Sequence, residues 1–364
     1  MTVDPLVAIA VARQASDIHL RAHQFPLIRV HGTLERLTTF PLVSHEDIEG
    51  AARQLLTADQ MEKLTRRQEV DAALVFEGLG RCRASVFRQK GTLAISLRLI
   101  PSNPPKLEDL GLPASVLALV HESRGLVLIT GATGSGKSTT LAALVAEINK
   151  TRSMHILTIE DPIEFIHEDI MAVISQREVG LDVESYPRGL LSALRQDPDV
   201  ILLGELRDPE TIETALVAAE TGHLVLSTLH TLDAPETVNR IVAVFEAHKQ
   251  PQVRNQLARV LRATISQRLL PRADGKGRAL ATEVLVTTPY VRDCIADIDK
   301  VSLIAGAIAS GEHAYGMQNF DQSIFALVQS GAVSVEEAAN WVTNVEEFRM
   351  RLRGITPGSR SFSR

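Results

Sequence analysis

The sequence predicts an α/β protein in two parts, a smaller α+β unit over residues 1–100 and a larger unit over 114–364 built on a parallel sheet. Three observations predict it. From residue 126 onward, short apolar runs alternate with helical segments, the pattern of parallel strands covered on both faces. Before residue 100, extended runs and two capped helices mix without that alternation. Between the two, residues 101–113 contain Pro101, Pro104, Pro105 and Pro113. Proline lacks a backbone donor and restricts the residue before it, so this stretch is neither helix interior nor central strand and reads as an interdomain linker.

Taken in order, residues 5–14 predict a short amphipathic helix, followed by strands at Ile18–Ala22 and Leu27–Val30, with His31-Gly32 before the next extended piece. Ser44-x-x-Asp47 and Thr57-x-x-Gln60 are capping boxes that start two helices. Strands follow near Ala72–Phe76, Arg81–Phe87 and Leu93–Leu99, the last two joined at Lys90-Gly91. In the larger unit the apolar runs are Leu126–Thr130, Ile156–Ile159, Met171–Ile174, Val200–Leu203 and Leu224–Ser227. Beyond residue 250 the chain reads as mostly helical, apart from a hairpin turning at Asp274-Gly275 with its second strand at Ala281–Val286. The last ten residues read as disordered.

Composition narrows the function. A chain of 364 residues with 45% hydrophobic and 23% charged residues has the balance of a soluble globular protein. A net charge of -6 and a pI near 6.0 argue against a protein whose main work is gripping nucleic acid, and 4% aromatics leave little for a stacking channel. Two distant cysteines, Cys82 and Cys294, exclude a disulfide framework and a Cys-x-x-Cys zinc site, and suit a reducing compartment. Asp4 and Arg13 interrupt the apolar start, and no run reaches the length of a membrane span. The expectation is a cytoplasmic protein that meets the membrane only through partners.

Gly131, Ala132, Thr133, Gly134, Ser135, Gly136, Lys137 and Ser138 satisfy G-x-x-x-x-G-K-[ST], with Thr139 next, after a buried strand and at the start of a helix. Successive backbone N–H groups must wrap phosphate oxygens there, so side chains are absent where the chain turns tightly. The helix aims its N-terminal dipole at the anion. Lys137 would reach the β- and γ-phosphates of ATP, and the Ser138 hydroxyl would join the Mg²⁺ shell. Asp199-Val-Ile-Leu-Leu-Gly204-Glu205 places an acid at the end of a buried strand, where Glu205 would orient Mg²⁺ or its waters. Thr158-Ile-Glu160-Asp161-Pro162-Ile-Glu164 sets three carboxylates within five residues; they repel unless a cation or water separates them, and hydrolysis needs such a group near the γ-phosphate. His223 and His230 bracket a strand at a spacing unsuited to a metal site, and hydrogen bonding to phosphate or to carboxylates fits them better than ligation.

In this order and context the four pieces resemble the PilT/PilU family of type IV pilus retraction ATPases, within the secretion ATPase superfamily. The likeness runs from Ala15-Ser-Asp-Ile-His-Leu20 to Gly316-Met-Gln-Asn-Phe-Asp-Gln322. The resemblance implies a PAS-like N-terminal domain, a RecA-like P-loop core, a homohexamer and an inner-membrane pilus platform protein as partner. It implies Glu164 as the catalytic glutamate, Glu205 as the Walker B acid and His230 near the γ-phosphate. It also implies Arg81, Arg83 and Arg98 as arginines reaching an adjoining subunit's nucleotide. Arg81 and Arg83, two apart on a strand, face one way. Gln176–Tyr186 and Glu347–Leu352 look more like PilU, whereas Gly204–Asp208 and Thr228–Thr231 look more like PilT. The family's AIRNLIRE-type helix corresponds to Tyr290–Asp297, which keeps Arg292 and lacks the second arginine. That departure raises an accessory role beside another retraction ATPase; a secretion or conjugation ATPase is the other alternative.

Overall fold

The structure, a computed structural model, describes residues 2–30, 32–100 and 104–353. It divides into two compact units, Met1–Asn103 with Glu164–Ile166, and Pro104–Ile163 with His167–Arg364. Of the segment expected to be a linker, 101–103 lie outside the described residues. The remainder belongs to the second unit: Leu107 and Leu112 are buried in one core with Val120 and Ile148.

In the first unit the helix Asp4–Ala12 buries Leu6, Val7 and Ala10. Strands β1 (Ala15–Arg21), β2 (Leu27–Val30), β3 (Thr33–Arg36), β4 (Glu69–Phe76), β5 (Gly80–Gln89) and β6 (Thr92–Ile100) form one antiparallel sheet in the order β3-β2-β1-β6-β5-β4. The helices His45–Leu55 and Ala58–Arg67 start at Ser44 and Thr57, and both capping boxes are formed. Each such cap is worth about 1 kcal/mol. Along β5, Cys82, Ala84 and Val86 point into the core, which turns Arg81 and Arg83 to the opposite face.

The second unit is built on β7 (Gly125–Thr130), β8 (His155–Glu160), β9 (Val173–Glu178), β10 (Val200–Leu203), β11 (Leu224–Leu229), β12 (Leu261–Pro271) and β13 (Arg278–Val286), in the order β13-β12-β7-β11-β10-β8-β9. All neighbours are parallel except β12 and β13. Every residue of β7, β10 and β11 is buried. One face of the sheet packs against the helices Tyr186–Ala193, Pro209–Glu220, Ala234–Ala243 and Gln250–Val260, and the other against Lys137–Thr151. This is the α/β class expected.

Two expectations differ in detail. The strand expected at Met171–Ile174 runs Val173–Glu178 on the sheet edge, with Met171 and Val173 exposed, because it has one neighbour rather than two. The late hairpin extends the main sheet, since β12 pairs in parallel with β7. Over it pack the helices Phe320–Gln329, Val335–Ala338 and Val345–Leu352, whose Phe320, Ile324, Ala338 and Phe348 share a core with Leu270, Ala279 and Ala281. The last ten residues, expected to be disordered, lie outside the described residues.

Candidate functional site

The loop between β7 and the helix Lys137–Thr151 has a backbone that its sequence alone permits. Gly131 sits at φ 139°, and a Cβ there would lie 2.6 Å from both the Gln267 carbonyl oxygen and Ser135 Oγ. Gly136 caps the helix at φ 92° without any side-chain cap, so the first-turn N–H groups are left to a ligand rather than to the protein. Lys137 is buried beneath the loop, its Nζ donating to the carbonyls of Gly131 (2.8 Å) and Ala132 (3.1 Å). Ser138 and Thr139, half-buried, follow in the first turn. Strand β12 braces the loop: Thr130 Oγ1 donates to Ser266 Oγ (3.0 Å) and Gln267 Nε2 to Thr140 Oγ1 (2.7 Å). From β13, Arg278 Nη1 donates to the Gly134 carbonyl (3.3 Å).

Because β7, β11, β10 and β8 run parallel, their carboxyl ends share one edge of the sheet. Glu205 follows β10 there. Its backbone is fixed on both sides, Gly204 N donating to the Ile159 carbonyl (2.8 Å) and Leu206 N to that of Thr228 (3.1 Å). Glu205 Oε1 receives Arg207 Nε at 2.5 Å and lies 3.5 Å from His230 Nε2. The carboxylate raises the pKa of Arg207, chiefly through that hydrogen bond. Gly204 has no room for a side chain, since its Cβ would lie 2.6 Å from Tyr186 Oη. Burial, and then the charges of Asp161, Glu205 and Glu160, push the Tyr186 phenol well above its ordinary range.

The acidic stretch divides. Glu160 is held in the sheet, accepting from Thr158 Oγ1 (2.7 Å) and Gln176 Nε2 (3.3 Å). The Gln176 carboxamide oxygen in turn accepts from His167 N (2.9 Å), and burial lowers the His167 ring to about 4. Asp161 and Glu164 are exposed, and Glu164 groups with the first unit. The histidines divide too. His230 stands at the carboxyl end of β11 beside Glu205, whereas His223 stands at the other end, its Nδ1 donating to the Ala218 carbonyl (2.9 Å). The His223 ring is thus met by backbone at the end of the strand away from Glu205.

Arg81, Arg83 and Arg98 lie together on the first unit's sheet, Arg83 directly opposite Arg98. Arg83 Nη2 is 3.4 Å from Asp71 Oδ2, and Arg98 Nε is 3.1 Å from Asp17 Oδ1. The shared face expected for Arg81 and Arg83 is present, with carboxylates interleaved.

Among the described residues no group of three or more His, Cys, Asp or Glu side chains is placed to hold a metal. A hydroxyl at Ser138 and a carboxylate at Glu205 suit Mg²⁺, which keeps waters and takes oxygens from phosphates rather than an all-protein cage. Sequence reasoning gave no role to Arg207, although it sits in the motif with Glu205, and passed over Tyr186. It also missed a cavity of about 300 Å³ on the other side of the loop, lined by Ala132–Ser135, Leu232, Gln267–Leu269, Arg278 and Trp341. None of those later residues stands in a recognisable spacing. Among the described residues no helix is long and apolar enough to cross a membrane.

Comparison with known proteins places this geometry. A twitching motility protein of Neisseria gonorrhoeae is 44% identical over 88% of this chain and 85% of its own length. The type IV pilus retraction ATPase PilT of Pseudomonas aeruginosa is 41% identical over 96% of this chain and all of its own. The crystal structure of a pilus retraction motor PilT with bound ADP superposes with a TM-score of 0.88 at 41% identity, over 95% of this chain and 98% of that one. The family described as type II/IV secretion system protein matches residues 1–289. With the family match covering most of the chain and these relatives at 41–44% identity, the chain belongs to the type II/IV secretion system protein family.

Proposed function

We propose that this chain is an ATP-hydrolysing motor for type IV pilus retraction, acting as a homohexamer on the cytoplasmic side of the inner membrane and docking on a pilus platform protein. The observation that carries the reading is the placement of Lys137, Glu205, Arg207 and His230 along the carboxyl-end edge of one sheet. The loop 131–139 binds the phosphates through backbone N–H groups, and Lys137 exchanges its carbonyl partners for phosphate oxygens. Ser138 and Glu205 would hold an Mg²⁺ carried with the nucleotide, which would supply neutralisation of charge between the phosphates. Glu164 accepts the proton of the attacking water, on a turn whose exposure leaves it free to meet substrate. His230, tied to Glu205, hydrogen-bonds near the γ-phosphate. Arg81, Arg83 and Arg98 reach the nucleotide of an adjoining subunit.

An accessory role beside another retraction ATPase is the second reading. It is favoured by the helix Pro289–Ala296, where Arg292 and Ala296 are both exposed and so share a surface with one arginine rather than two.

Lys137→Ala tests the site. Purified protein should keep its fold and lose turnover by more than about 100-fold, since among the described residues Lys137 is the buried cation held at the loop carbonyls. Hydrolysis at the unmodified rate would remove the assignment.

A further inference from the structure

The phosphate loop has two sides. Glu205, Arg207, His230 and Glu160 lie toward β11, β10 and β8, and β12 lies on the opposite side of β7. A nucleotide with its terminal phosphate toward Glu205 therefore directs its other end toward β12, β13 and whatever covers them. What covers them is the helical C-terminal segment, which lies beyond residue 289, where the family match ends. The cavity of about 300 Å³ is on that side, at the lower end of the range for small-molecule sites.

Its walls are built. Gln267 is 2% exposed, and its Nε2 is committed to Thr140 Oγ1, while Oε1 is buried and has no partner among the described residues. Ser135 Oγ, 6% exposed, is likewise buried and unpartnered, and it lines the same cavity. A buried polar atom without a partner is destabilising, and a ligand that supplies the missing hydrogen bond removes that penalty. The cavity is also lined by Trp341, the single tryptophan of the chain. Its indole Nε1 donates to Glu337 Oε1 (2.8 Å) and its carbonyl accepts from Arg268 Nη1 (3.2 Å). Arg268 is itself stacked 3.7 Å above the Phe320 ring. Trp341 is thus held from both ends, with its polar edge already satisfied.

We infer that the C-terminal helices complete the nucleotide site, and that Trp341 is the platform on which the base of the bound nucleotide stacks, with Gln267 Oε1 and Ser135 Oγ accepting from its base or ribose donors. The inference rests on the phosphate-loop reading above. It assigns base recognition to a residue far outside the motifs that bind phosphate.

Tryptophan emission reads this directly, because no other indole contributes. Titration of the full chain with ADP should quench the Trp341 emission, and titration with pyrophosphate should not. Calorimetry then follows both ligands in two variants. Trp341→Ala should weaken ADP about 10-fold and leave pyrophosphate unchanged, while Trp341→Phe should recover most of the ADP affinity. Unquenched emission at saturating ADP, or ADP affinity in Trp341→Ala equal to that of the unmodified chain, would overturn the base platform with the phosphate site left standing. Failure of the unmodified chain to bind either ligand would overturn both. If Trp341→Ala lost pyrophosphate as well as ADP, the decision would pass to Trp341→Phe, which keeps an aromatic face: retained ADP binding supports the platform, and a loss of about 10-fold overturns it.

Discussion

Glu283 makes the stability of the second unit depend on pH in a direction opposite to most carboxylates. It lies on β13 opposite Ser266, is 8% exposed, and accepts one hydrogen bond, from Ala234 N at 2.9 Å. Burial pushes its pKa from 4.5 up to about 7; the Ala234 N–H and Arg268 pull downward without cancelling that, and Asp233 adds to the rise. Between these two values the folded chain holds a proton that the unfolded chain has released. The contribution to stability is therefore whole below pH 4.5 and is lost as pH rises toward 7. A shift of that size costs about 3 kcal/mol once the group is ionised in both states, of which about 2 kcal/mol develops between about pH 5 and pH 8. Glu283→Gln keeps an acceptor for Ala234 N and removes the titration. Guanidinium unfolding followed by Trp341 emission reports the second unit, which contains the only tryptophan. Relative to the unmodified chain, the variant should gain about 2 kcal/mol on going from about pH 5 to pH 8. The buried His167, lowered to about 4, weakens the fold as pH falls from 6.5, but equally in both proteins, so it drops out of the difference. A difference that is flat with pH would refute the argument.

Two predictions concern the chemistry. Glu164→Gln should retain nucleotide affinity and lose hydrolysis by about 100-fold or more, because an amide accepts no proton from water. Glu205→Gln should also raise the Mg²⁺ concentration needed for half-maximal rate; equal Mg²⁺ dependence in the two variants would contradict the division of labour. The arginines are tested by mixing: Arg83→Ala and Lys137→Ala chains, each inactive alone, should regain activity in mixed assemblies, where some interfaces pair an intact loop with an intact arginine. No recovery at any ratio, with mixing shown by a tag, would leave Arg83 as the partner of Asp71 on an exposed sheet face.

What the sequence made legible was local. Ser44/Asp47 and Thr57/Gln60 declared their helices because a capping box needs only four consecutive residues. Val200–Leu203 was legible because a strand buried on both faces must be apolar throughout. The edge strand β9 was misplaced for the converse reason: with one neighbour, its Ser175, Gln176, Arg177 and Glu178 can be polar, and the apolar Met171 drew the boundary too early. Likewise β12 reads Leu261–Pro271 with Arg262, Gln267 and Arg268 inside it, and nothing in that pattern declares a parallel partner in β7. The two histidines were equivalent in sequence and are not in space, since a strand separates its ends and only one end meets Glu205.

The same distinction explains why one half of the nucleotide site was legible and the other was not. Phosphate is an anion met by consecutive backbone N–H groups, so its recognition compresses into nine adjacent residues, 131–139, with glycine where φ must be positive. The cavity beside it is made of Ser135, Leu232, Gln267, Arg278 and Trp341, brought together by a parallel pairing, an antiparallel hairpin and a helical layer packed on both. A base offers a flat apolar face and a few donors and acceptors, which any aromatic, amide or hydroxyl can meet from any element. Its recognition accordingly leaves no spacing to find. Here Gln267 is the joint between the halves: its carbonyl oxygen closes on Gly131, its amide nitrogen on Thr140, and its amide oxygen remains for the ligand. A change at Gln267 therefore disturbs the phosphate loop as well as the cavity, which is why Trp341, touching neither Gly131 nor Thr140 by any hydrogen bond, is the residue that separates base recognition from phosphate recognition.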